Sequence, residues 1–243
     1  MSKARNTYNE CASQYAAMIG ERPPVLYSHL VVPTLLGFAG NVSGLSVLDA
    51  GCGEGIIARK LSEFGARVTA IDVSEELVRI ARERTQSQSI EYCCFDLSEH
   101  PPEHFIGKFD LVVSNLVIDD VPDYVGYIRN VSLMAKQFAR IILTKNNPYS
   151  AVIRDKVPDY FDSGHADIYK GMSTAGVKVF YYHRTLEEYI NGFHDHGFLL
   201  SRLSDMKPPQ SALDHEDPLE RDRFRRHVHF PVLMAIEFTR ASE

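Results

Sequence analysis

The stretch Ser46-Val47-Leu48-Asp49-Ala50-Gly51-Cys52-Gly53-Glu54-Gly55 decides the fold of this 243-residue chain. Apolar Val47 and Leu48 mark the end of a buried strand, the glycines force a tight turn, and the apolar-periodic run from Ile56 to Leu61 opens a helix. Strand, glycine turn and helix together make a nucleotide-type cradle. Glycines at such a turn let the backbone approach a ligand closely, and the helix start presents unpaired N–H groups.

The spacing selects the ligand. A dinucleotide fingerprint requires G-x-G-x-x-G and seats its pyrophosphate at the helix start. Here the third glycine, Gly55, comes one residue early, and Asp49 and Glu54 bring carboxylates to the same turn. Two anions repel a pyrophosphate and suit a ligand carrying an ammonium or sulfonium group. Val47 to Gly55 resembles the first motif of the class I S-adenosylmethionine-dependent methyltransferases, with closest similarity to the small-molecule branch related to quinone-biosynthesis methyltransferases. The resemblance implies an α/β Rossmann-like fold with a mostly parallel seven-stranded sheet, an antiparallel last strand and helices on both faces. It also implies S-adenosylmethionine as methyl donor, S-adenosylhomocysteine as product, and an acceptor site above the strand ends.

The bulk numbers set bounds. With 44% hydrophobic residues the chain can bury one full α/β core. A net charge of −6, from 26 basic and 32 acidic residues, argues against a nucleic-acid grip, which needs a basic face. Cys11, Cys52, Cys93 and Cys94 show no C-x-x-C pairing and read as reduced thiols. No apolar run is long enough to span a bilayer and the first residues lack a signal-peptide core, so the expectation is a cytoplasmic protein with no membrane partner. The sequence gives no sign of oligomeric state.

One domain is expected. Residues 1–40 form an N-terminal helical lid, 41–145 the cofactor-binding core, 146–184 an insert covering the acceptor, and 185–243 the last helix and strands. In the lid, Tyr8, Ala12 and Tyr15 fall on one helical face. By resemblance to the family's lid, Tyr15 reaches the cofactor. Arg67 to Ile71 is a short strand closing on Asp72, and Ser74 caps the next helix, whose first turn carries Glu75 and Glu76. An acid at that strand tip accepts bonds from vicinal ribose hydroxyls, with Val73 beside it; a turn or capping role is the plain alternative. Ser89 to Phe95 ends in Asp96-Leu97, which by resemblance hold the adenine, Asp96 on the exocyclic amine and Leu97 on the ring face. Phe109 to Val117 reads as a central strand buried on both faces, its polar tail Ser114-Asn115 at the carboxyl edge. Asp49, Gly51, Gly53 and Asn115 are then expected at the methionine end.

Ile118 to about Lys136 is expected as one helix, and Phe138 to Thr144 as the fifth strand. The family often carries a histidine where Asp119 stands, so Asp119 or its neighbour Asp120 is a candidate base, although acids are ordinary at a helix start. Asn147-Pro148-Tyr149 is expected as a loop, because the amino-methyltransferase motif that it resembles follows the fourth strand. Val177 to His183 reads as an extra strand and Thr185 with Glu188 as a capping box. His183-Arg184-Thr185 resembles a step common in the small-molecule enzymes, which makes His183 a candidate general base; a structural histidine is the alternative, and His165 has a weaker claim. Phe198 to Leu203 and Val232 to Thr239 are the last two strands. Asp214 to His229, with Arg221, Arg223, Arg225 and Arg226, reads as a solvated helix. The pairs His194/His196 and His227/His229 diverge on a helix and complete no metal site, so no metal is expected.

The function expected is methyl transfer from S-adenosylmethionine to a small-molecule acceptor, on oxygen or nitrogen in preference to carbon, by in-line displacement. A methyltransferase-like protein that binds ligand without turnover stays open, as does a nicotinamide oxidoreductase.

Overall fold

The computed structural model describes residues 3–20, 24, 26–153, 157–164, 166–169, 179–208, 210–214, 218, 221, 225 and 228–241. Helix α1 (Lys3–Gly20) comes first. A π-helical turn, Tyr27–Val31, then runs directly into α2 (Val32–Ala39), and Pro33, which has no N–H to donate, stands just past the junction where the helical hydrogen-bond pattern changes. The core alternates β1 (Ser46–Ala50), α3 (Ile56–Glu63), β2 (Arg67–Asp72), α4 (Glu75–Glu83), β3 (Ile90–Cys94) and β4 (Phe109–Asn115). Next come α5 (Tyr124–Met134), β5 (Ala135–Asn146), the short α6 (Pro148–Ile153), the hairpin β6 (Ala166–Tyr169) and β7 (Val179–Tyr182), α7 (Leu186–His194), β8 (Phe198–Asp205), the four-residue α8 (Gln210–Leu213) and β9 (Leu233–Arg240).

Seven strands form one sheet in the order β3-β2-β1-β4-β5-β9-β8. All neighbours from β3 to β5 are parallel, and β9 runs antiparallel between β5 and β8. This is the expected Rossmann-like arrangement. Its order reverses between β1 and β4, which opens a crevice at the carboxyl ends of those strands. Consecutive strand residues feed opposite faces. Val47, Leu111, Val113 and Ile142 join one buried cluster with α2 and α3, while Leu48, Val112, Ile141 and Leu143 join the other with α5 and α7. Both faces are covered, which is why β1 and β4 read as nearly continuous apolar runs.

Several expected local elements need correction. The helix anticipated from Ile118 is interrupted: Ile118–Asp120 is a single 3-10 turn, and α5 begins only at Tyr124. Pro122 drives Val121 into an extended conformation, and Asp123 restarts the helix by accepting from the Gly126 N–H. Without a glycine exit, α5 passes directly into β5, which therefore starts at Ala135 and not at Phe138. Asn147-Pro148-Tyr149 is a helix start and not a loop. Asn147 Oδ1 accepts from the Tyr149 N–H at 3.1 Å, and proline suits the first turn. The Thr185/Glu188 capping box and the Ser74 cap form as expected. His165, Arg223 and Arg226 lie outside the described residues. Among the described residues, no helix is long and apolar enough to cross a membrane.

Candidate cofactor cleft

The glycine turn is fastened to the tip of β2. The N–H groups of Gly51 and Cys52 both donate to the Ile71 carbonyl, at 2.8 and 2.9 Å, and the Gly53 N–H donates to Asp72 Oδ2 at 2.8 Å. Asp72 Oδ1 accepts from the Ser74 N–H at 2.9 Å. Each oxygen keeps lone-pair capacity for a ligand donor. Burial raises the Asp72 carboxyl above the ordinary carboxylate range, and the Ser74, Gly53 and Val73 amides oppose that rise. Glycine is required at position 51 by close approach: at φ +88°, a Cβ there would stand 2.3 Å from a methyl carbon of Val117.

The cleft in front of this turn holds about 760 Å³ of empty space, part of it continuous with solvent. Asp72, Asp96 and Asp120 line it, and no lysine or arginine does among the described residues. Tyr15 stands over Gly53, with a ring carbon 3.4 Å from where a Cβ would be, and meets Tyr8 edge to face at 5.8 Å, so two rings of α1 roof the space. Val73, Phe95 and Leu97 supply apolar wall. Asp96 Oδ1 accepts from the backbone and hydroxyl of Ser98, leaving Oδ2 without a bond among the described residues. Asn115 is held at both ends of its amide, accepting from Thr144 at 2.6 Å and donating to Tyr27 Oη at 2.9 Å. Leu116 follows it with φ +58°, a left-handed conformation of the kind that is stored at ligand sites.

Asp49 lies beneath the turn and is fully buried, and among the described residues neither carboxylate oxygen has a hydrogen-bond partner. Burial first, and the Asp72 charge second, push its carboxyl up to about 7; the Ala58 amide and Arg59 pull only weakly the other way. Glu54, expected to present its charge to the ligand, does not line the cleft. It is buried between two guanidinium groups, Arg59 at 2.8 Å and Arg84 at 2.9 Å, and Arg84 also donates to the Ala16 carbonyl of α1. Its role is to tie the turn to α1, α3 and α4.

The two candidate bases are placed elsewhere. His183 is fully buried, its Nε2 bonded to the Tyr160 carbonyl at 2.8 Å and its Nδ1 3.2 Å from Tyr181 Oη, and it does not line the cleft. Asp119 is also buried and outside the lining. It pairs with Lys145 at 3.2 Å and accepts from Tyr189 and from the Asn146 backbone. Asp120, one residue later on the 3-10 turn, points the opposite way into the cleft, where Tyr8 donates to its Oδ2. Sequence reasoning placed Tyr8 only on a packing face and put Asp119 ahead of Asp120 as candidate base, whereas it is Asp120 that lines the cleft. Of the other lining residues it missed, Tyr127 bonds Ser114 at 2.7 Å and ties α5 to the floor of the site.

S-adenosylmethionine fits these residues. Asp72 retains capacity for a ribose diol, Asp96 Oδ2 is open for an amine, and a lining with three acids and no lysine or arginine among the described residues suits a cation. The sheet order with this anionic, aromatic-roofed crevice defines a class I S-adenosylmethionine-dependent methyltransferase. Residues 41–188 match the family described as Methyltransferase domain, and the chain belongs to it. A ubiquinone biosynthesis O-methyltransferase of Vibrio campbellii is 29% identical over 160 residues, 60% of this chain and 66% of that protein. One from Escherichia coli O7:K1 is 31% identical over 135 residues, 53% of this chain and 55% of that protein. The chain thus spans a little over half to about two thirds of the length of these relatives. The fold is shared with an S-adenosylmethionine dependent methyltransferase from Mesorhizobium loti (TM-score 0.70, 23% identity, covering 86% of this chain and 96% of that one). It is also shared with magnesium protoporphyrin IX methyltransferase from Synechocystis PCC 6803 with bound SAH (TM-score 0.66, 18% identity, covering 98% and 97%).

Proposed function

We propose that this protein methylates a small-molecule acceptor on oxygen or nitrogen, with S-adenosylmethionine as donor. The observation that carries the reading is the convergence of Asp72, Asp96 and Asp120 on one crevice with no basic side chain among its described lining residues. In this reading Asp72 holds the ribose, Asp96 takes the adenine amine between Val73 and Leu97, and Tyr15, Asn115 and the Gly51–Gly53 turn enclose the methionine end, with Asp49 below. The cofactor supplies an activated methyl group.

The chain's contribution is then alignment and exclusion of water by the tyrosine roof, effects worth up to about 7–11 kcal/mol in well-oriented systems. The naming of similar proteins as ubiquinone biosynthesis O-methyltransferases favours oxygen as the accepting atom. The test is incubation with methyl-labelled S-adenosylmethionine and a metabolite extract, with mass detection of labelled products. Label in a small molecule, lost in Asp72→Ala, is the expected result; label only in protein or nucleic acid would overturn the proposal. Protein that binds cofactor and labels nothing would favour the binding-only reading, which the locked positions of His183 and Asp119 keep in view.

A further inference from the structure

Asn115 is gripped by two residues that do not themselves line the cleft. On β5, Thr144 stands in register beside it, and the Thr144 hydroxyl donates to Asn115 Oδ1 at 2.6 Å. From the π-helical turn after α1, Tyr27 Oη accepts from Asn115 Nδ2 at 2.9 Å. Both partners are buried, whereas Asn115 is half-buried and faces the cleft.

The two hydroxyls also settle which end of the amide faces which. With the amide reversed, the fully buried Thr144 O–H would meet an N–H and lose the one acceptor that it has among the described residues. As held, Asn115 commits one lone pair to Thr144 and one N–H to Tyr27, and keeps one of each for a ligand. Thr144 fixes the backbone of the same strand tip. The Leu116 N–H donates to the Thr144 carbonyl at 2.9 Å and to its Oγ1 at 3.2 Å, at the one non-glycine residue with positive φ among the described residues. A left-handed leucine persists only where its surroundings over-determine it. Leu116 and Val117 line the cleft, so the residue that aims the amide also sets the wall beside it.

We infer that Thr144 and Tyr27 are positioning residues for the amino-acid end of the cofactor. They hold the Asn115 amide so that its spare lone pair takes an ammonium hydrogen and its spare N–H takes a carboxylate oxygen. This rests on the methyltransferase reading above and deepens it. An α-amino acid carries that donor and that acceptor on one carbon, so a single fixed amide meets both. Among the described lining residues no lysine or arginine offers the carboxylate a stronger partner. An amide that is already fixed loses no rotamer freedom on binding, and that is where the gain in affinity arises.

The test compares two thioether nucleosides by calorimetric titration of the full chain: S-adenosylhomocysteine, which carries the amino-acid end, and methylthioadenosine, which lacks it. The wild type is expected to bind the first at least about tenfold more tightly. Thr144→Val deletes the hydroxyl and should weaken S-adenosylhomocysteine about tenfold, and Thr144→Ser should restore it to within about threefold of the wild type. Tyr27→Phe keeps the buried ring and should weaken it about threefold to about tenfold, which decides the matter should Thr144→Val not fold. Affinity for methylthioadenosine stays within about twofold of the wild type in all three. In an Asn115→Ala background, Thr144→Val leaves the ratio of the two affinities unchanged, because it acts through that amide. Equal losses for the two ligands are what a merely structural role gives, and would overturn the inference. So would S-adenosylhomocysteine affinity unmoved by either Thr144→Val or Tyr27→Phe, no rescue by serine, or a ratio that Thr144→Val still shifts without Asn115. A wild type that binds methylthioadenosine as tightly as S-adenosylhomocysteine also overturns it, with the cofactor reading left standing. A wild type that binds neither ligand overturns that reading itself.

Discussion

The two halves of the strand-tip edge treat buried charge in opposite ways. Around the β1, β2 and β3 tips, polar capacity is left open: Asp49 has no partner among the described residues, Asp96 keeps Oδ2 clear, and Asp72 accepts from backbone amides with lone pairs to spare. Around the β5 tip and the described part of the insert, four buried or half-buried groups are closed off. Asp119 is paired with Lys145, His183 is bonded at both nitrogens, Arg184 covers three carbonyls, and Glu188 is held by its capping box. Open capacity marks groups kept for a ligand, and mutual satisfaction marks groups that hold the frame. Asp119 and Asp120 show the boundary between the two within one turn.

That contrast breaks most visibly at Asp119. Asp119→Ala leaves Lys145 charged, buried and unpaired, and should cost about 3–5 kcal/mol in urea unfolding. Affinity for S-adenosylhomocysteine in the surviving fold should change little, whereas a large loss of cofactor affinity with unchanged stability would move Asp119 to the ligand side. Asp49 provides the opposite case. Its carboxyl is raised to about 7 when folded, from an ordinary 3.8, so the folded state holds the extra proton. Its stabilising contribution is complete below the ordinary carboxylate range and is lost as pH rises through about 7. Relative to wild type, Asp49→Asn should therefore gain about 2–4 kcal/mol as pH rises from about 4 to about 7, then level off. A pH-independent difference would show that the carboxylate has a partner.

Asp72→Ala removes a buried acceptor proposed to take two ligand donors, and should weaken S-adenosylhomocysteine by about tenfold to about a hundredfold in calorimetry. The smallest effect is expected at His183. Its replacement by phenylalanine gives up the bonds to the Tyr160 carbonyl and the Tyr181 hydroxyl, worth about 1 kcal/mol each. Methyl transfer should keep the same pH profile from about pH 6 to about pH 9, and a lost acidic limb would restore His183 as a base.

What the sequence disclosed follows the reach of each interaction. The Ser74 cap, the capping box at Thr185 and the Asp72 strand tip involve residues within a few positions of each other or of a glycine turn, where local rules hold. Glu54 is not legible from the sequence because one of its partners, Arg84, is 30 residues away just past the end of α4, and only the fold brings it near. Tyr8 and Asp120 are 112 residues apart, and the three carbonyls held by Arg184 lie more than 60 residues before it. The choice between Asp119 and Asp120 was invisible for a different reason. Pro122 breaks the expected helix into a 3-10 turn, and the facing of two adjacent acids depends on that turn.

The central claim is that the crevice is built for a cationic nucleoside and rejects a diphosphate. Calorimetric titration of the wild-type chain with S-adenosylmethionine, and separately with NAD, tests it most directly. The expected outcome is saturable binding of S-adenosylmethionine and no measurable heat with NAD at the same concentrations. Comparable binding of NAD, or none of S-adenosylmethionine, would contradict it.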